Sequence, residues 1–158
     1  MDTLLVGSEV PRVDGLAKVT GKAVYGDDII MNNMLYGVCR YVDIPAGRID
    51  ALDLSEAEKV PGVVRIATWN DIPGQRKLGA IVPDHPPIID KEIAYRGDVV
   101  AVVAAETYEA ACIAVDKIKI TYTPWEPITS PEEAMKPGAR LIHSELDSNI
   151  INRHHTAK

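Results

Sequence analysis

At 158 residues with 46% hydrophobic and 25% charged side chains, the chain is long enough for one domain whose core needs neither disulfide nor metal. Its formal net charge is −6, and with no basic block to offset that acidity it is a poor partner for nucleic acid. No apolar run is long enough to span a bilayer, so no membrane association is expected.

Phenylalanine is absent, so the core has to be built from Val, Ile, Leu and Ala, with Trp69, Trp125 and a few tyrosines as the large pieces. The segment Met1–Gly7 lacks the basic-then-apolar order of a secretory leader. Cys39 and Cys112 are the only cysteines, too few for an iron–sulfur cluster, which takes about four protein ligands. Two free thiols in a reducing cytoplasm is the plain reading.

Residues 1–25 read as an extended arm, because Pro11, Gly15 and Gly21 break up any helical period. Residues 26–145 read as the folded domain. Met34–Val42 is rich in strand formers, and Arg48–Leu54 alternates polar and apolar side chains, with some irregularity towards its end. Ser55-Glu56-Ala57-Glu58 has the spacing of a capping box, so a short helix is expected before Pro61-Gly62 stops it. Val63–Ala67 reads as a strand, followed by the same capping pattern in miniature at Thr68-Trp69-Asn70-Asp71. Gln75–Asp90, with Pro83, Pro86 and Pro87, is expected to be a surface loop.

Val99–Ala104 is a continuous apolar run, the pattern of a strand covered on both faces. Thr107 is placed to cap a helix on which Ala111, Ala114, Val115 and Ile118 form one stripe, with Glu109 and Asp116 on the other side. Lys119–Thr123 alternates as a strand up to Pro124. The strand–helix–strand order suggests a right-handed crossover within one mixed sheet. A last capping box is expected at Ser130-Pro131-Glu132-Glu133, with Pro at the first helical position, and Pro137-Gly138 closes that turn. Beyond His143 the pattern dissolves; residues 146–158 read as the start of a linker to a further domain, and Lys158 as a cut through continuing sequence.

None of the side-chain groupings amounts to a reaction centre. His154-His155 are neighbours that would point to opposite sides of an extended chain, and with His143 they read as a solvated tail rather than a metal site. His85 sits in the proline-rich loop without an acidic or thiol partner nearby in sequence. Cys39 belongs in a strand; Cys112 lies off the helical stripe with no basic neighbour to activate it. Asp27-Asp28 lacks further oxygen ligands at calcium-loop spacing, and the other acidic pairs are explained by helix starts. Arg96-Gly97-Asp98 reads as a turn into the Val99 strand. No dinucleotide or phosphate-binding glycine loop and no nucleophile elbow occurs. No residue is therefore assigned a catalytic, cofactor-binding or metal-binding role.

A resemblance emerges when the motifs are taken together. Pro11-Arg12-Val13-Asp14-Gly15, Lys18–Tyr25 and Asp27-Asp28 look like the opening of the molybdenum-binding subunit of xanthine dehydrogenases and aldehyde oxidases. Met34-Leu35-Tyr36, Val60–Val63, Asp71–Gly74, Gly97–Thr107, Ala110-Ala111, Pro131–Ala134 and Asn149–Ile151 follow in that family's order. Each motif is weak alone, and the order and spacing carry the weight. Two places depart from the pattern: Asn32-Asn33 stands where Pro-Gly is common, and Arg40–Asp43 with Pro45-Ala46-Gly47 replaces a stretch that holds a family histidine.

The resemblance implies an α+β domain of the α/β-hammerhead type, with one main helix after the Val99 strand and short capped turns. It further implies a parent enzyme that hydroxylates a purine such as xanthine at molybdenum, with electrons passing to iron–sulfur clusters and FAD. Molybdopterin would be held by later domains of the same subunit. The partners implied are those domains and the iron–sulfur and flavin components, and the isolated chain would be inactive. The loop from Leu78 to Ile89 is the expected contact with a neighbour. A free-standing assembly module is the competing reading, and a reading frame that stops at Lys158 would favour it.

Overall fold

The computed structural model describes Gly7, residues 9–80 and residues 82–157. The chain divides into two units, one up to Met34 and one from Leu35 onward.

The first unit holds little regular structure. Extended backbone is expected here, but a single turn of helix, α1 (Gly15–Val19), forms instead. Pro11 lies upstream of that turn and Gly15 opens it, while Gly21, at φ +69°, ends it. The glycines flank the helix rather than interrupt it. Asp14 accepts a 2.6 Å ion pair from Lys18 one turn on. A 3-10 turn at Gly26–Asp28 follows, closed by a 2.8 Å bond from the Tyr25 amide to the Asp28 carboxylate. Asp28 is thus occupied with its own backbone. Asn33 has φ +62°, the conformation that an Asn standing in for Gly can adopt.

The second unit is built from two three-stranded sheets. Its strands are β1 (Tyr36–Tyr41), β2 (Gly47–Asp53), β3 (Val63–Ala67), β4 (Glu92–Ile93), β5 (Val99–Ala105) and β6 (Lys119–Pro124). One sheet has the order β1-β5-β3 and the other β4-β2-β6, and every pairing is antiparallel. The α+β class holds, but a single mixed sheet with a crossover does not. The helix α2 (Tyr108–Lys117) carries the chain from β5 in one sheet to β6 in the other, so it joins two sheets rather than two parallel neighbours.

β5 is the central strand and is covered on both faces, as its unbroken apolar run requires. Ala101, Val103 and Ala105 face α2 and pack with Ala110, Ala111, Ala114 and Ile118. Val100 faces the other way, into a second cluster with Val42, Ile49, Ile89 and Ile93. Leu52 and Ile120 pack against both clusters. Thr107 caps α2 through a 3.1 Å bond from the Ala110 amide. Ala101, Ala105, Ala111 and Ala114 are fully enclosed, which allows helix and sheet to approach closely without any large aromatic.

Two local expectations change. In β2 the register shifts between Ile49 and Ala51, so the inner face passes from Ile49 to Leu52 and Ala51 turns outward. Ser55–Glu58 forms a turn, not a helix. The Asp53 carboxylate takes the Ser55 amide at 3.0 Å, and before Pro61 a single α-type bond, Glu58 N–H to the Leu54 carbonyl, is followed by a 3-10-type bond from the Val60 amide to the Ala57 carbonyl. The turn is nevertheless anchored, because Ala57 and Val60 are buried in the first cluster. The capping pattern at Thr68–Asp71 does form, over a 3-10 turn at Trp69–Asp71. Near the C-terminus, α3 (Pro131–Ala134) is capped by a 3.1 Å bond from the Glu133 amide to the Ser130 hydroxyl.

Candidate functional site

The second unit holds a cleft of about 640 Å³, lined by Trp69, Lys77, residues 84–86 of the proline-rich loop, residues 89–92 with Ala94, Tyr95 and Asp98, and Ile142–Glu145. Several local devices build it. The loop is pinned across its tip by paired backbone bonds between Leu78 and His85, at 2.8 and 3.0 Å. Gly79 is needed there, because a Cβ would lie 1.9 Å from the Val82 carbonyl oxygen. The far end of the loop then dives inward, with Ile88 and Ile89 buried, so only part of the expected surface loop is at the surface.

One wall is held from the C-terminal side. Asn149 accepts from the Ile142 amide at 2.9 Å and donates to the carbonyls of Ala134 and Arg140 at 3.0 and 2.9 Å. This clamps residues 134–149, and the ion pair between Lys77 and Glu145 ties that stretch to the loop. The lysine holds the Glu145 carboxyl below its usual range. Arg140 lies 5.0 Å over the Trp125 ring, and Arg76 lies 5.2 Å over Trp69.

Trp69 is set by its cap. Asp71 accepts from the Thr68 amide at 2.8 Å, from the Thr68 hydroxyl at 3.0 Å and from Arg65 at 2.7 Å. The backbone bond from Thr68, with Arg65 and the Thr68 hydroxyl behind it, pulls the Asp71 carboxyl from 3.8 to about 2. Because the folded pKa is depressed, the cap's contribution to stability is fully present above about pH 4 and is lost as pH falls through about 2. Carboxyl-detected NMR titration of the folded chain should place the Asp71 midpoint near 2. Substituting Arg65 by Gln should raise it, and a midpoint unmoved from the ordinary aspartate range would rule out the cap.

Asp98 is the buried charge at the floor of the cleft, 3% exposed. Its carboxylate accepts from the amides of Ala94 and Tyr95 at 2.8 and 3.2 Å. Gly97 lets the Tyr95 ring lie against this turn, since a Cβ there would sit 2.3 Å from the ring edge. Arg96-Gly97-Asp98 is thus a folded turn, as expected from its place before β5, and its aspartate is inaccessible to an external receptor.

The histidines fall in two places. His85 and His143 both line the cleft, whereas His154 and His155 are exposed in the C-terminal stretch. The grouping read from the sequence therefore separates, and the pair His85/His143, from loops far apart in the chain, could not have been read from it. Among the described residues no three His, Cys, Asp or Glu side chains come together as a metal site. Cys39 and Cys112 are both half-buried free thiols. The departure at Arg40–Asp43 forms its own structure, a 2.7 Å ion pair. Tyr122 adds a 3.3 Å bond from its hydroxyl to the Asp43 carboxylate.

Molybdopterin finds no match in this donor set. The cleft lining carries five carboxylates, Asp84, Asp90, Glu92, Asp98 and Glu145, against Lys77 and Lys91. That lining repels a phosphate-bearing cofactor, so the residues present do not fit one.

The family profile described as "Aldehyde oxidase and xanthine dehydrogenase, a/b hammerhead domain" matches residues 20–126. The chain belongs to that family. It is 38% identical over 142 residues to a probable xanthine dehydrogenase subunit of Bacillus subtilis, covering 90% of this chain and 19% of the relative. It is 36% identical over 149 residues to the nicotinate dehydrogenase large molybdopterin subunit of Eubacterium barkeri, covering 94% and 35%. The solved aldehyde oxidoreductase of Desulfovibrio gigas superposes with a TM-score of 0.83 at 27% identity, covering 88% of this chain and 17% of that one. The chain therefore spans about a fifth of the Bacillus subunit and about a third of the Eubacterium one. It is a hammerhead domain of the molybdenum hydroxylase family, and among its described residues no helix is long and apolar enough to cross a membrane.

Proposed function

We propose that this chain is the hammerhead domain of the large subunit of a xanthine-dehydrogenase-type hydroxylase, framing the subunit rather than performing its chemistry. The observation that carries this reading is the cleft. It is built by backbone pairing, an asparagine clamp and a buried carboxylate already spent on turn amides. Such a cleft suits a docked polypeptide segment better than a reacting molecule.

In the parent enzyme the reaction would be the hydroxylation of a purine. A C–H bond becomes C–OH with oxygen from water, and two electrons and two protons are released. The electrons would pass to iron–sulfur clusters and then to FAD on other components. Molybdopterin would be bound by domains that follow this one. The similarity to a probable xanthine dehydrogenase subunit supports a purine substrate. Two free thiols suit a reducing, cytoplasmic setting.

The test is a replacement. This chain is substituted for the aligned segment of the Bacillus subtilis subunit and compared with a deletion of that segment and with the isolated chain. The expected result is that the chimaera retains molybdenum and oxidises xanthine, while the deletion and the isolated chain do neither. Turnover by the isolated chain, or a chimaera as inert as the deletion, would overturn the reading.

A further inference from the structure

We draw no further inference here: the strongest candidate, the acid-lined cleft between Trp69, residues 84–86 and Ile142–Glu145, belongs to the site already described, and nothing in the structure shows what covers it.

Discussion

Truncating Ile93 to alanine is expected to destabilise the domain by about 3–4 kcal/mol, the upper part of the range for a buried isoleucine. Ile93 is 1% exposed, the most enclosed member of the second cluster. It sits on β4, a strand of two residues, so there is little regular backbone to collapse into the space the side chain leaves. The surrounding Val42, Ile49, Ile89 and Val100 come from four separate segments, each held by its own hydrogen bonds. Urea unfolding should show a lower midpoint with an unchanged slope, and the thermal midpoint should drop by about 10 °C. A loss below about 1 kcal/mol would mean that the second cluster is not packed as described.

Replacing Asp98 by alanine is expected to cost about 3 kcal/mol, because two turn amides lose a charged acceptor in a buried site. The Ala94 and Tyr95 N–H groups point at one carboxylate oxygen, and with alanine nothing replaces it. The backbone carbonyl of the same residue accepts from Val42 at 3.0 Å, so disorder in the turn would spread to the strand end it supports. Asparagine keeps an acceptor of the same reach and should recover about half of the loss. Amide exchange at Ala94 and Tyr95 should accelerate in the alanine variant; unchanged exchange there would show that the carboxylate is not what holds the turn.

The parts of the fold that can be read in the sequence are those where local chemistry and packing agree. β3 and β5 stand out by composition, α2 by its stripe and its Thr107 cap, and the Trp69 turn by the Thr–Asp spacing. Each is specified within a dozen or so residues. What escapes depends on pairing across the chain. Strand partners are chosen by the whole set of inner faces, so β5–α2–β6 reads equally well as a crossover in one sheet or a bridge between two. The bulge after Ile49 re-phases β2 without any glycine to announce it. The Ser55 capping box loses to Asp53, which lies closer along the chain to the same amide and needs no helix to reach it.

The cleft is less legible still. Its proline-rich side is visible as a loop with the look of a contact surface. Its other side rests on Asn149, whose side chain reaches back to Ala134 and Arg140, and nothing about one asparagine in a featureless stretch signals that. His143 likewise acquires its place in the same cleft as His85 only through the clamp. The family resemblance, by contrast, is carried by many short motifs in order and needs none of these contacts.

Leu52 and Ile120 sit between the two apolar clusters and belong to both. β2 and β6, which carry them, are paired to each other across six residue pairs. Neither cluster can therefore be opened without stripping a wall from the other. The consequence is cooperativity: the helix-covered sheet and the sheet behind it melt as one body.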